Sequence, residues 1–459
     1  MGMHPATAGP RRSTTLRALA LLAVGATALS GATATAQAVG ASGHLPAFHL
    51  RPASAGHIDA VGRVAPISTS DCVSQIGIHC YSPLQYRSAY NLGPLYQQGV
   101  TGKGRTIVIV DSFGSPSIQH DLEVFDKQWG IPDTQVEVVK WGNVPVFDPT
   151  NPDHTGWAGE TTLDVEYAHA IAPDAHIVLV ETGVAETEGV TGLPEMMDAE
   201  KAIIKSRNVD VISQSFGATE NTFPGFDQHN FKSIEDLRYA FKYAAAKDVT
   251  VLAASGDNGA TDAMENGSDL YPYKVNSWPS ADPLVTSVGG TELTLDDNGV
   301  RTAPDKVWHD DYGAAGGGVS GVFERPWYQA GVAKVTGDHR GTPDISMSAA
   351  VDGAAWTYES YDPTRVGWHL TGGTSEATPI FSGIVALANQ LAGHRLGQLN
   401  WRMYGLAQLP SQWSGITDVT AGDNSWDKVT GYQAVKGYDL ASGLGTINAD
   451  RFVRALSGR

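Results

Sequence analysis

Four short runs of apolar, mostly β-branched residues constrain the fold of this 459-residue chain most strongly, and they occupy residues 105–113, 175–181, 209–217 and 249–257. Continuous apolar runs of this length are typical of strands buried on both faces of a parallel sheet. Helical patterns lie between them, at residues 159–175 and at 233–248, where Ser233 is the predicted N-cap. The alternation predicts an α/β fold, a mostly parallel sheet with helices on both faces.

The charge balance narrows the range of partners. The formal net charge is −18, with 31 basic and 49 acidic residues. Nucleic acids and anionic membranes both attract basic surfaces, so this composition argues against either as a partner.

The N-terminal 38 residues have the features of a secretory signal. Arg11, Arg12 and Arg17 form a basic region, residues 18–29 are apolar, and residues 34–38 offer small-residue cleavage sites. We therefore expect a secreted, extracellular protein that leaves the membrane after signal cleavage. Residues 39–79, rich in Ala, Ser, Gly and Pro, are interpreted as a linker or a short propeptide remnant, and residues 80–459 as the main folded domain.

Two cysteines, Cys72 and Cys80, are the only ones in the chain. In an exported protein, a disulfide that closes this short loop is the expected pairing.

Residues 371–383, TGGTSEATPIFSG, place Ser375 at or near the start of a predicted helix. The free N–H groups of a helix start can stabilise an oxyanion, and glycines allow close backbone approach. Ser375 can equally be an ordinary helix cap. Gly372, Gly373 and Pro379 favour the nucleophile, which then needs a base.

Glu160 and Asp164 are candidates for that base. Being four residues apart on a helix, they lie about 40° from each other, on one face. Two such carboxyls near an apolar helix do not both ionise easily, so one can act as a general base in acid. The alternative is a pair of solvated surface acids, but the apolar residues of the same helix favour burial.

Asp257 follows the last of the four apolar runs, and sites in such sheets lie at the carboxyl ends of strands. It can form a simple turn, or, if protonated, donate its O–H to a developing negative charge. Ser375, Glu160 and Asp257 make chemical sense together only in an enzyme that works at low pH.

From about Cys80 to the C-terminus, the chain resembles the sedolisins, the serine-carboxyl peptidases. The resemblance rests on ordered motifs: YSPLQYRSAYNL, IVIVDSFGSP, GETTLDVEYAHAIAPDAHI, TVLAASGDNGATD, WPSADPLVTSVGGTEL, GGGVSGVFERPWYQ, TPDIS, GGTSEATPIFSG and GYDLASGLGTIN. It implies a subtilisin-like fold and a monomeric acid peptidase, an endopeptidase or tripeptidyl-peptidase, acting on proteins or peptides through an acyl-enzyme.

The resemblance also implies a role for each matching residue. Ser375 would be the nucleophile, Glu160 the general base and later the acid, Asp164 the residue that orients Glu160, and Asp257 the oxyanion donor.

One structural Ca²⁺ near the C-terminus is implied by the resemblance alone. Its ligands would be the carboxylates of Asp418 and Asp439 and the backbone carbonyls of Val419, Val435 and Gly437, completed by water.

The chain departs from the family pattern in three ways. Only about 40 residues separate the signal from the catalytic start, where relatives carry a long prodomain. Phe216 stands where some relatives have a supporting Trp, and Asp111 where some have a Glu that extends the acid chain. Asp262, after the oxyanion turn, is either a subsite residue or a core or capping residue.

Two alternatives remain open. A neutral subtilisin-type protease needs a His base in a helix, and the one candidate, His154, is predicted to lie in a loop before the helix. A catalytically weak or inactive binding protein on the same fold is the other alternative.

Overall fold

The computed structural model describes residues 65–459 in full and residues 54–59 as backbone. The predicted signal peptide, residues 1–38, lies outside the described residues, as do residues 39–53 and 60–64 of the predicted linker. None of the helices in the described part of the chain is long and apolar enough to cross a bilayer.

The described strands, in chain order, are β1 (Ser54–Asp59), β2 (Cys80–Tyr81), β3 (Thr106–Ser112), β4 (Glu137–Trp141), β5 (His176–Thr182), β6 (Val211–Gln214), β7 (Ala218–Thr219), β8 (Thr250–Ala254), β9 (Ser277–Trp278), β10 (Thr286–Glu292), β11 (Lys306–Val307), β12 (Gly318–Glu324), β13 (His339–Thr342), β14 (Ile345–Ser348), β15 (Ala354–Glu359), β16 (Gly367–Gly373), β17 (Ile416–Thr417) and β18 (Thr446–Ile447).

The described α-helices are α1 (Thr69–Gln75), α2 (Pro83–Ala89), α3 (Gly93–Tyr96), α4 (Ile118–Trp129), α5 (Pro152–Ile171), α6 (Leu193–Ser206), α7 (Lys232–Leu237), α8 (Tyr239–Ala245), α9 (Ala333–Thr336), α10 (Thr374–Ala392), α11 (Asn400–Leu406), α12 (Ser411–Ser414) and α13 (Ala449–Ser457).

The main sheet has the strand order β11-β10-β8-β6-β3-β5-β4, with β14 also paired to β10. All of its pairings are parallel except that of β10 with β11. The four apolar runs of the sequence form β3, β5, β6 and β8, which confirms the predicted sheet.

Alternation along the central strand separates two cores. Ile107 and Ile109 of β3 pack into the core that contains α5 and α10. Val108 and Val110 pack into the core that contains α6 and α8. Successive side chains of a strand point to opposite faces, so helices cover both faces of the sheet, as predicted.

The residues interpreted as a linker contain two regular elements. β1 pairs antiparallel with β16, the strand that leads into residues 371–373. α1 begins at Ser68, whose hydroxyl accepts the N–H of Asp71, and the disulfide between Cys72 and Cys80 is formed with a Cα–Cα distance of 5.9 Å. The predicted pairing is confirmed, and regular structure begins before residue 80; the domain boundaries themselves stay a prediction.

Candidate active site

Ser375 lies in the first turn of α10 and is fully buried. The helix begins after Gly373, whose φ of 134° is a backbone conformation that favours glycine. Within the described residues, the Ser375 hydroxyl oxygen has no hydrogen-bond partner. The first N–H groups of a helix have no partner within the helix, and here the N–H of Thr374, next to Ser375, donates to Asp257 instead. The helix continues through Pro379, one turn beyond Ser375.

Glu160 and Asp164 lie on α5, and both are buried rather than solvated. The hydroxyl of Ser215, just past β6, donates to Asp164 Oδ1 at 2.8 Å, whereas no described group bonds to Oδ2. Burial raises the pKa of Asp164 well above its usual range, and the charges of Asp111 and Glu160 raise it further. Asp164 is therefore held as a neutral acid beside Glu160, able to share a proton with it.

Asp111, at the carboxyl end of β3, belongs to the same group of acids. It is fully buried, and its Oδ2 accepts the hydroxyl of Thr161, one residue after Glu160, at 2.9 Å. Burial raises its pKa to about 7; the Thr161 hydrogen bond opposes this shift, and the charge of Glu181 adds to it. The structure thus places Asp111 against α5, within electrostatic reach of Asp164.

The helices that carry Ser375 and Glu160 pack against each other. A Cβ added at Gly383 of α10 would lie 2.6 Å from the Cβ of Ile171 on α5, so only glycine permits this approach. Ser375 lies eight residues before Gly383 on α10, and Glu160 lies eleven residues before Ile171 on α5, so both candidates lie N-terminal to this contact.

Asp257 bonds directly to the start of α10. Thr374 donates both its backbone N–H and its hydroxyl to Asp257 Oδ1, each at 2.8 Å. Oδ2 has no partner among the described residues. Burial outweighs these hydrogen bonds and raises the pKa of Asp257 to about 8. With both donors on Oδ1, the proton belongs on Oδ2, where it can be donated to a substrate oxygen next to Ser375.

Three residues that support this arrangement, Thr161, Ser215 and Thr374, were not anticipated from the sequence. Ser215 and Thr374 each donate a hydrogen bond to a carboxyl group from a distant part of the chain, and their local sequence does not indicate that partner. Thr161 is the exception, because its position beside Glu160 on a buried helix could have predicted that it supports the acids.

Two sequence predictions are wrong in detail. His154 lies in the first turn of α5 rather than in a loop, because the helix begins at Pro152. Its Nδ1 accepts the N–H of Asp148 at 3.0 Å, and its ring contacts that of Phe113 in a tilted arrangement. Ser233 does not cap a helix: α7 begins at Lys232, and the Ser233 hydroxyl donates to the carbonyl of Pro224.

The predicted calcium ligands lie together at the C-terminal loops. Gly437 N–H donates to Asp418 Oδ2 and Val435 N–H to Asp439 Oδ2, each at 2.8 Å, and Val419 is buried beside Asp418. Across residues 65–459, no group of three or more His, Cys, Asp or Glu side chains is placed to hold a metal ion. The donor set is all oxygen, as Ca²⁺ prefers, but most of it is backbone carbonyl.

Comparison with known proteins places these features in a family. The profile described as the subtilase family matches residues 152–432. Kumamolisin from Bacillus sp. (strain MN-32) is 31% identical over 423 residues, which cover 90% of this chain and 68% of kumamolisin. Mouse tripeptidyl-peptidase 1 is 30% identical over 330 residues, covering 66% of this chain and 52% of that protein. The chain thus spans about half to two thirds of these relatives.

A solved structure shares the fold. Pseudomonas sedolisin (serine-carboxyl proteinase), complexed with two molecules of pseudo-iodotyrostatin, superposes with a TM-score of 0.68 at 24% identity. The superposition covers 83% of this chain and 99% of that one. The superposition shows a shared fold, and the profile match together with the likeness to kumamolisin shows that this chain belongs to the subtilase family, in its sedolisin group of serine peptidases.

Proposed function

We propose that this protein is an acid-active serine-carboxyl peptidase that hydrolyses peptide bonds through an acyl-enzyme on Ser375. The observation that carries the proposal is the buried Asp257 carboxyl, whose Oδ1 accepts two hydrogen bonds from Thr374, the first residue of α10, because an acid in this place helps an oxyanion only while it keeps its proton. Its pKa of about 8 marks the pH above which that donor is lost.

The proton transfers fall to the α5 acids. Glu160 takes the proton of the Ser375 hydroxyl as the seryl oxygen attacks the substrate carbonyl, and returns it to the leaving amine. Asp164, a neutral acid held by Ser215, donates to Glu160 and orients it. Water then attacks the acyl-enzyme, with Glu160 again acting as base. Asp111 and Thr161 keep this group buried and partly protonated.

One structural Ca²⁺ is proposed at the C-terminal loops. The carboxylates of Asp418 and Asp439 and the carbonyls of Val419, Val435 and Gly437 would hold it. In the described conformation the N–H groups of Val435 and Gly437 face these carboxylates, so the ion would use their remaining lone pairs or displace these hydrogen bonds. When bound, the ion would tie the last loops to the body of the domain.

We also propose export, with removal of residues 1–38, and action as a monomer on extracellular proteins or peptides. The relatives named above are peptidases, which supports the substrate class. The features of the first 38 residues support the export route.

A pH–rate profile of the purified full chain on an unfolded protein substrate tests the proposal, with Glu160→Ala in parallel. We expect activity in acid that falls as the pH rises through about 8, where Asp257 loses its proton, and that is lost in the variant. Full activity of Glu160→Gln at neutral pH would instead support a neutral subtilisin-type enzyme. Binding of the substrate without cleavage at any pH would support the non-catalytic alternative.

A further inference from the structure

Glu376 follows Ser375 in the first turn of α10, and the proposed reaction does not use it. It is fully buried, and neither oxygen of its carboxyl has a hydrogen-bond partner among the described residues. Successive residues of a helix point about 100° apart, so this side chain leaves α10 on a different side from that of Ser375. Burial penalises a carboxylate far more than a neutral carboxyl, so the groups around Glu376 decide whether it can ionise.

Four tyrosine side chains lie around this carboxyl. Tyr86 is in α2 and Tyr90 is its C-cap, while Tyr167 comes from α5 and Tyr81 from β2. Burial raises the pKa of each tyrosine, and the charge of Glu376 raises it further. Glu376 is therefore within electrostatic reach of hydroxyls that belong to three separate elements.

The hydroxyl hydrogens of three of these tyrosines are already in use. Tyr86 donates to the carbonyl of Gly353 at 3.0 Å. Tyr167 donates to the carbonyl of Trp356, also at 3.0 Å, and Tyr81 donates to another backbone carbonyl at 2.9 Å. Because a phenol has a single O–H, these three oxygens can accept a further hydrogen bond but cannot donate one to the carboxyl.

Ser348, the last residue of β14, is a polar neighbour with a hydrogen to spare. Its hydroxyl has no partner among the described residues, and its backbone N–H donates to the Tyr90 hydroxyl at 2.7 Å. Burial raises the pKa of Glu376 to about 8, although the nearby hydroxyls of Tyr86 and Ser348 oppose this shift. A neutral Glu376 can donate to Tyr86 and accept from Ser348, whereas a carboxylate would face the lone pairs of Tyr86.

The surroundings also lack a countercharge. Within residues 65–459, Glu376 forms no ion pair with a Lys, Arg or His. The guanidinium of Arg301 lies over the Tyr90 ring, but it is paired with Asp305. A charge on the Glu376 carboxyl would thus be buried without compensation, and the neighbours favour the protonated, donating form.

The segment that meets Glu376 also holds the start of α10. The N–H of Gly373, the residue before the helix, donates to the carbonyl of Ala349 at 2.7 Å, and Ala349 follows Ser348. The strand β14 itself packs against α10. A displacement of the Glu376 carboxyl from Ser348 would therefore be transmitted to the turn that carries Ser375.

We infer that Glu376 is a positioning residue for Ser375, and that it holds the first turn of α10 in place only while it carries a proton. On ionisation, the core can relieve the buried charge only by moving the carboxyl toward water, and the first turn moves with it. The inference rests on the proposed peptidase function, because Ser375 is the group being positioned. It adds to Asp257 a second acid that must stay neutral, one that touches no reacting atom.

Glu376→Met and Glu376→Gln of the full chain test the positioning role in acid. Met has a similar length but no donor, so kcat should fall by about tenfold or more while KM changes by less than about twofold. Gln supplies an amide N–H donor and should restore most of the loss. Equal kcat values in the two variants and in wild type would overturn the role.

The alkaline decline of log kcat, measured on protein shown by circular dichroism to be folded, tests the proton. Above about pH 8, wild type loses the protons of both Asp257 and Glu376. Glu376→Gln loses only that of Asp257, so its decline should be less steep by about one power of ten per pH unit. An equally steep decline in the two proteins would overturn the inference.

Glu220→Gln is the matched control. Glu220 is also buried with a raised pKa, but its carboxyl accepts hydrogen bonds from Ser320 and Gly321. Its decline should be as steep as that of wild type, and a flattening in this variant as well would contradict a specific role for Glu376.

A wild-type chain that cleaves nothing would overturn the peptidase function alone. Glu376 is then judged by urea denaturation, which needs no activity. Its pKa is raised above the unfolded value of 4.5, so the stability that the neutral carboxyl contributes is present below that pH and is lost as the pH rises to about 8. The free energy of unfolding of Glu376→Gln relative to wild type should increase over this range, and a constant difference would show that Glu376 is not neutral in the fold.

Discussion

Two faces of α5 carry buried acids with different surroundings. On one face Asp164 and the neighbouring Asp111 each leave one carboxyl oxygen without a partner among the described residues. On the other, Glu166 accepts the N–H of Tyr358 at 3.3 Å, and its neighbour Asp121 accepts the hydroxyls of two serines. Burial raises the pKa of Glu166 as it does that of Asp164.

The difference teaches that a raised pKa does not by itself mark a reacting group. Both faces are desolvated, so both keep their acids neutral well above the usual range. On the second face the carboxyls of Glu166 and Asp121 accept hydrogen bonds at both oxygens, whereas Asp164 and Asp111 each keep one oxygen open for a proton. Only the first face is beside the start of α10. The second is called the satisfied face below, and the hydrogen bonds of its two carboxyls indicate a role in holding α5 in place.

The largest effect is expected at Ser375. Replacing it by Ala removes the atom that forms the acyl-enzyme, so kcat should fall by about 10⁶ while substrate still binds. Steady-state assays and an active-site titration with an acylating inhibitor measure this. A Ser375→Ala protein that retains substantial activity would place the nucleophile elsewhere.

Glu160→Gln and Glu166→Gln test the comparison itself. We expect the first to lower kcat by about 10³–10⁴, because the base is lost. The second should leave kcat within a fewfold of wild type, since Glu166 lies on the satisfied face. Comparable losses in both variants, measured on folded protein of equal secondary structure, would contradict the distinction between the two faces.

Asp257→Asn should have an intermediate effect. An amide N–H still donates to the oxyanion but less strongly than a neutral acid, so we expect a loss of about 10² in kcat. Because an amide does not ionise, the variant should also lose the part of the alkaline decline that comes from Asp257, whose pKa is about 8. Complete inactivity of a well-folded variant would mean that the Asp257 proton itself moves during the reaction.

Glu166, on the satisfied face, should make the free energy of unfolding depend on pH. Burial raises the pKa of Glu166 above its unfolded value of 4.5, so its contribution is fully present below that pH and is lost as pH rises. Glu166→Gln removes this dependence, and its free energy of unfolding relative to wild type should increase from about pH 4.5 upward. Urea denaturation at several pH values measures the difference; a constant offset would show that Glu166 is not neutral in the fold.

Chelation should have the smallest effect on the chemistry. Asp418 and Asp439 resemble the satisfied face, because N–H groups saturate part of each carboxylate. Removal of Ca²⁺ should lower Tm by several degrees with little change in kcat below that temperature. An unchanged Tm after chelation, in wild type and in Asp439→Asn alike, would argue against the ion.

The sequence predicted the sheet because β-branched runs report burial directly, and β3, β5, β6 and β8 fall where expected. It placed the start of α5 at residue 159, whereas the helix begins at Pro152, where the Asn151 side chain accepts the N–H of Asp153. The helix at 233–248 divides into α7 and α8, and α1 lies in a segment interpreted as a linker.

The candidate site was predictable in its acids and its serine, since these residues sit in compact motifs. The hydrogen bonds of Thr374 to Asp257 and of Ser215 to Asp164 join residues distant in the chain, so no local pattern contains them. Local motifs identify the reacting groups, whereas the tertiary fold provides the burial and the hydrogen bonds that set the protonation state of each carboxyl.

The contact between Gly383 and Ile171 has a consequence for how the enzyme meets its substrate. Since α5 and α10 touch where a side chain is absent, the helix bearing Ser375 cannot slide along the helix bearing Glu160 without disrupting the core. The spacing of the two helices is thus preorganised when the core forms. Heating should abolish activity in the same cooperative transition that unfolds the domain. A residue larger than glycine at position 383 should lower kcat before it unfolds the protein.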